Sequence, residues 1–189
     1  MRIIAGSARG RRLSSIKGEQ TRPTADRVRE ALFSILFSRL GSLEDKTVLD
    51  MFAGSGALTI EALSRGASHG WLVEKSPLAL QTLQNNLICC SFLDHAEVIR
   101  GDLWKVISRV KSAAPFDLIF IDPPYNRGLA LKALEVVANT GLLAAEGITT
   151  AETDAAEKLP DRLDSLVRIE QRRYGSTTLH FYQTALEES

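Results

Sequence analysis

The stretch FDLIFIDPPY at residues 116–125 carries an apolar run into an acid, two prolines and an aromatic, the pattern in this chain best suited to chemistry. A carboxylate held at the end of a buried strand can accept hydrogen bonds from a ligand and offset positive charge growing on it. Read alone, Asp122 is equally a solvated acid on a proline-stiffened turn. A second set is DMFAGSG at residues 50–56 followed by Glu74. Gly54 and Gly56 let the backbone turn tightly and let a ligand approach the main chain in front of a helix amino terminus. Glu74 stands near the spacing of about 20 residues expected of an acid that binds ribose hydroxyls. That is a nucleoside-binding arrangement. Thr59 occupies the place of the third glycine of the dinucleotide fingerprint, which argues against a nicotinamide oxidoreductase. Asp102, after Gly101, reads by itself as a helix cap.

Such residues need a sheet edge to hold them. Leu118, Ile119, Phe120 and Ile121 suit a strand covered on both faces, and Pro123 and Pro124 require it to end at Asp122. Strands at 47–52, 70–74, 96–100 and 118–122 alternate with helices at 57–65, 77–87, 103–110 and 129–139, which predicts an α/β domain with a parallel sheet. Further strands at 148–152, 167–173 and 177–182 follow, the last two an antiparallel pair closing one edge, with a short helix at 159–163 between. Ahead of the core, residues 3–5 and the glycine-punctuated basic turn 6–12 read as a small hairpin, with Gly18 a further break. An amphipathic helix at 25–40 comes next, capped by Thr24. The expected division is a basic extension at 1–40 packed on a domain at 41–189.

A chain of 189 residues suits one domain with a full core. The formal net charge of zero hides an uneven distribution. Up to Arg39, the cations Arg2, Arg9, Arg11, Arg12, Lys17, Arg22, Arg27, Arg29 and Arg39 are opposed only by Glu19, Asp26 and Glu30. A localised anionic partner follows. Cys89 and Cys90 are adjacent and have no second pair, so they read as small buried side chains in a reducing compartment rather than as a disulfide or a metal site. With no secretory leader and no apolar stretch of membrane-spanning length, a cytoplasmic protein is expected. His69, His95 and His180 are scattered and receive no catalytic role.

Residues 50–56, Glu74, Gly101 with Asp102, and the DPPY of 122–125, in that order, resemble the motifs of class I S-adenosylmethionine-dependent methyltransferases. The DPPY form is similar to that of enzymes methylating exocyclic amines of nucleobases. RIIAGSARGRRL and TRPTADRVREALFSIL resemble one family closely, the RsmD-type 16S rRNA guanine-N2 methyltransferases, and YGSTTLHFY near the end looks familial too. The resemblance implies a Rossmann-like, mostly parallel seven-stranded sheet with helices on both faces and an antiparallel C-terminal edge. It implies S-adenosylmethionine as cofactor, no metal, and methylation of guanine 966 in 16S rRNA. The partner would be that rRNA within a small-subunit assembly particle, met by a monomeric enzyme.

The implied roles are specific. Gly54 and Gly56 would pass beneath the methionine part of the cofactor, Ala53 would belong to the same cofactor site, and Asp50 would bind its ammonium directly or through water. Glu74 would take the ribose hydroxyls, Asp102 would accept from the adenine amine, and Leu103 would cover a ring face. Asp122 and the main-chain carbonyl of Pro123 would accept the two hydrogens of the target amine, with Tyr125 stacking on an extruded base. Arg9, Arg11, Arg12 and Lys17 are candidate phosphate contacts, and Asn126 and Arg127 candidate walls of the base pocket. Arg22, Thr24, Arg27 and Arg29 suit either the cofactor pocket or RNA. The rival readings are an adenine-N6 nucleic-acid methyltransferase, whose usual additional target-recognition region 189 residues leave little room for, and a non-enzymatic rRNA-binding assembly factor.

Overall fold

Residues 1–16, 23–125 and 127–185 are described in the computed structural model, without the side chains of residues 23–25. Lys17, Gly18, Arg22 and Asn126 lie outside the described residues. The chain forms two compact units, Met1–Val106 and Ile107–Ser189.

In the first unit, β1 (Thr47–Asp50), β2 (His69–Glu74) and β3 (Ala96–Arg100) are parallel in the order β3-β2-β1. Parallel neighbours cannot be joined by a tight hairpin. The connections are α2 (Ala57–Ser64) and α3 (Pro77–Cys90), the latter followed by a 3-10 turn at Leu93–His95. The Ser76 hydroxyl accepts from the Ala79 amide at 3.4 Å with Pro77 in the first turn, which fixes where α3 begins. Cys90 is buried but Cys89 is exposed, because the last turn of α3 turns one of the adjacent pair outward. The first helix, α1 (Pro23–Leu40), starts two residues earlier than expected. Thr24, expected as the cap, therefore stands inside it, Pro23 being pre-set for a first turn.

The expected N-terminal hairpin contracts to a single antiparallel bridge, Arg2 to Arg12. Hydrogen bonds from Ile3 N to Arg11 O at 3.0 Å and from Gly10 N to Ile3 O at 2.9 Å close the turn. What holds this arm is α2. Glu61, fully buried, accepts from the amides of Ile4 at 2.8 Å and Ala5 at 3.1 Å, and pairs with Arg65 at 2.8 Å. The backbone passes so near Ser64 that a Cβ on Gly6 would lie 1.6 Å from its carbonyl oxygen, so this turn demands glycine.

The second unit holds β4 (Phe116–Ile121), α5 (Leu129–Thr140), β5 (Leu143–Asp154), β6 (Arg162–Leu163), β7 (Leu166–Tyr174) and β8 (Thr177–Thr184), with α4 (Leu103–Lys111) preceding β4. The order is β4-β5-β8-β7-β6, parallel between β4 and β5 and antiparallel from there outward. Residues 118–121 are at most 1% exposed, as the unbroken apolar run requires.

The described residues contain eight strands where seven were expected, and the addition replaces the helix expected at 159–163. Tertiary donors capture the carbonyls that such a helix would need. Arg168 Nη1 donates to Leu159 O at 2.9 Å, Tyr182 Oη to Pro160 O at 2.7 Å, and Arg168 N to Asp161 O at 2.7 Å. The segment is thereby drawn out along β7, and Arg162–Leu163 pairs with it. Among the described residues no helix is long and apolar enough to cross a membrane.

Candidate functional site

In the first unit, the expected cofactor residues gather at the carboxyl ends of β1 and β2. β1 stops at Asp50, and the chain turns through Gly54 and Gly56, both left-handed with φ of 52° and 80°. The Gly54 amide donates to Glu74 Oε2 at 2.8 Å, and the Ala53 amide to Val73 O at 3.0 Å. Glu74 Oε1 accepts from the amides of Lys75 at 2.8 Å and Ser76 at 2.7 Å. Three acceptor positions of roughly four on the carboxylate are thus engaged by backbone, leaving about one for a ligand hydroxyl. Glu74 therefore shapes the glycine loop in addition to its expected ribose role.

Asp50 is 1% exposed. Its Oδ2 accepts from the Thr59 hydroxyl at 3.2 Å, while Oδ1 is buried with no hydrogen-bond partner. Burial raises its pKa to about 7, opposed by hydrogen bonds from Thr59 and the Phe52 backbone and reinforced by the charge of Glu74. An orphaned carboxylate oxygen is costly unless something donates to it. It suits the ammonium-bearing cofactor implied above, reached directly or through water. Thr59, which breaks the glycine fingerprint, has its own place. The third glycine normally permits close helix–strand packing. Here the glycine is on the strand: a Cβ on Gly70 would meet Thr59 Cγ2 at 2.3 Å.

Asp102 does cap α4, its Oδ1 accepting from Trp104 N at 3.2 Å, and its Oδ2 lies 3.7 Å from Lys75 Nζ. It is a third exposed, so capping leaves it accessible to a ligand. Leu103 is buried at 4% exposure. The rings of Phe52 and Trp104 meet edge to face with centroids 6.4 Å apart.

In the second unit, Asp122 is the first residue beyond β4 and is half-buried, Pro123 is buried and Pro124 is exposed. Tyr125 is 36% exposed. Its hydroxyl donates to Glu152 Oε1 of β5 and lies 3.3 Å from Thr177 Oγ1 of β8. Burial, then the Glu152 charge, pushes the phenol pKa up, so the hydroxyl remains a donor. Burial also raises Glu152, against the Tyr125 hydrogen bond, which lowers it.

Arg9, Arg11, Arg12, Arg27 and Arg127 are exposed. Arg11 Nη1 donates to Cys89 O at the end of α3. Arg29 is different: at 5% exposure it donates to Arg2 O at 2.5 Å, pairs with Asp26 at 3.1 Å and approaches Glu61 at 3.9 Å. It is an interior strut between α1, the arm and α2, with desolvation lowering its pKa.

Sequence reasoning missed Glu61, Asn86, Glu152 and Thr177. Glu152 left one faint signal, an acid within the β-branched strand ITTAETD. Asn86 left none.

The profile of a family described as conserved hypothetical protein 95 matches residues 1–183. The chain belongs to that family. It is 36% identical over 160 residues to the ribosomal RNA small subunit methyltransferase D of Escherichia coli K12, covering 85% of this chain and 78% of that protein. The enzyme of the same description from Haemophilus influenzae is 33% identical over 185 residues, 97% of this chain and 93% of its own. A solved hypothetical protein from Thermus thermophilus matches with a TM-score of 0.80 at 30% identity, over 97% of this chain and 99% of the other. The RsmD-type kinship expected from the motifs is borne out, as is the class I methyltransferase fold with its antiparallel C-terminal edge.

Proposed function

We propose that the protein transfers a methyl group from S-adenosylmethionine to the exocyclic N2 amine of a guanine in 16S rRNA, position 966 by kinship. Kinship to small-subunit rRNA methyltransferases supports the substrate class. The observation that carries the amine chemistry is the DPPY turn, a half-buried carboxylate leaving β4 three residues before a partly exposed tyrosine anchored by its hydroxyl.

The cofactor supplies a methyl already activated by the positive sulfonium. The chain must hold it and present the amine. Asp50, Ala53, Gly54 and Gly56 hold the methionine part, Glu74 the ribose, and Asp102 with Leu103 the adenine. A guanine N2 lone pair is delocalised into the ring, so the amine is a poor nucleophile. Asp122 accepts one amine hydrogen and offsets charge developing on nitrogen, and the Pro123 carbonyl accepts the other. Two fixed acceptors orient the lone pair, and orientation supplies part of the ~7–11 kcal/mol available from it. Tyr125 stacks on the extruded base. The arm and α1, residues 1–40, serve the 41–189 domain by meeting RNA phosphates through Arg9, Arg11, Arg12 and Lys17, while Asn126 and Arg127 border the base. The protein acts as a cytoplasmic monomer on a small-subunit assembly particle, without a metal.

The test is transfer of labelled methyl from S-adenosylmethionine to 16S rRNA, naked and partly assembled, followed by mapping of the modified base. N2-methylguanine is the expected product. N6-methyladenine, or cofactor binding without transfer, overturns the reading. Asp122→Ala is expected to lose turnover while keeping cofactor affinity, and normal turnover in that variant removes Asp122 as the amine acceptor.

A further inference from the structure

Asn86, on α3, is 1% exposed, and its amide joins two segments far apart in sequence. Its Oδ1 accepts from Ser14 N at 2.8 Å, and its Nδ2 donates to Ser14 O at 3.0 Å. The side chain thus pairs with Ser14 as a neighbouring strand would. The same Nδ2 donates to Ser55 O at 2.9 Å, between Gly54 and Gly56. Three of its roughly four hydrogen-bonding positions are engaged. The side chain of Ile16 closes the same junction, its Cδ1 lying 3.8 Å from where a Cβ on Gly54 would stand. On the other side, Ser14 continues a tightly bonded arm: Leu13 N donates to Met1 O at 3.1 Å, and Arg2 bridges Arg12. Arg11 and Arg12 therefore connect to the glycine loop through one continuous set of hydrogen bonds, with Asn86 at its centre.

We propose that Asn86 is a positioning residue that couples the cofactor loop to the basic arm, so that cofactor and RNA each bind more tightly in the presence of the other. The physical reason is shared ordering. A ligand that fixes the 54–56 loop also fixes Asn86 and Ser14, and the second ligand no longer bears that entropic cost. Linkage makes the effect reciprocal. Ser55 offers only its carbonyl to this contact, so any side chain lacking a donor at position 86 breaks it. The inference rests on reading the arm as RNA-facing and the 54–56 loop as cofactor-binding.

The experiment measures the dissociation constant of a 16S rRNA fragment with and without saturating S-adenosylhomocysteine, in wild type, Asn86→Asp and Ile16→Ala. Asn86→Asp keeps the acceptor for Ser14 N and replaces both donors with lone pairs facing Ser14 O and Ser55 O. Ile16→Ala removes apolar packing from the same junction, loosening the Ser14–Asn86–Ser55 contacts without deleting a donor or acceptor, and serves should the first variant fail to fold. Wild type is expected to bind RNA about tenfold more tightly with the cofactor product present, within the usual range of coupling between sites. The ratio should fall toward one in either variant, a change that general destabilisation would not produce in folded protein. A wild type that methylates rRNA with no coupling, or with coupling that neither variant reduces, overturns this proposal alone. A wild type that neither binds nor methylates rRNA overturns the functional reading and this proposal with it.

Discussion

Replacing Tyr125 by phenylalanine separates the two tasks that the structure gives this residue. The ring stays; the hydroxyl that donates to Glu152 and neighbours Thr177 is lost. A hydrogen bond to a charged partner contributes about 1.5–3 kcal/mol net. For a chain of this size each kcal/mol corresponds to roughly 2–4 °C in Tm, so losses of about 1.5–3 kcal/mol lower it by roughly 3–12 °C. The loss depends on pH with a definite sign. Burial raises the Glu152 pKa above its unfolded value, so Glu152 favours the fold most below its unfolded pKa, and that contribution fades as pH rises through the folded pKa. The Tyr125 hydrogen bond lowers that pKa, and removing it raises the pKa further. Tyr125→Phe is therefore most destabilised at pH 8, where the stranded carboxylate is ionised, and approaches wild type in acid as it protonates. Thermal unfolding at several pH values measures this, and methyl transfer to rRNA measures the ring. Tyr125→Phe should keep much of kcat/KM, whereas Tyr125→Ala should lose the stacking contribution of about 1–3 kcal/mol, roughly 5- to 150-fold. Equal Tm values for wild type and Tyr125→Phe at pH 8 refute the anchoring argument. Undiminished kcat/KM in Tyr125→Ala refutes the stacking role.

Glu61→Ala leaves Arg29 buried without its interior partner and strips acceptors from the amides of Ile4 and Ala5. The expected cost is about 3–5 kcal/mol, or a Tm lower by roughly 6–20 °C, read by thermal unfolding together with faster proteolysis of the arm. Asp50 has a folded pKa raised to about 7, so its contribution to stability is greatest below its unfolded pKa and is lost as pH rises through about 7. Asp50→Asn should therefore gain Tm relative to wild type at pH 8 more than at pH 5, while weakening S-adenosylhomocysteine binding in titration calorimetry.

The alternation of strands and helices was legible from 47 to 140 because each element carries its own signal: an apolar run, a proline in a first turn, a glycine at an end. Errors fell where long-range partners outweigh local preference. Residues 159–163 look helical until Arg168 and Tyr182 take their carbonyls, and residues 3–12 look like a hairpin until Glu61 and Ser64 bind them as a turn. The glycine loop and the DPPY turn are contiguous motifs whose chemistry survives in one dimension. Their supports do not: Asn86 reaches Ser14 across 72 positions, and Tyr125 reaches Thr177 across 52. By itself, then, the sequence determined the fold class through local spacing, the family through its resemblance, and which groups are candidates to meet cofactor and base. Only the tertiary structure decided that Arg29 is an interior strut, that Thr59 packs on Gly70, that Asp50 holds an orphaned oxygen and that Glu152 fixes Tyr125. Each of these depends on burial and on a partner brought close by folding, and neither is written in residues read one after another.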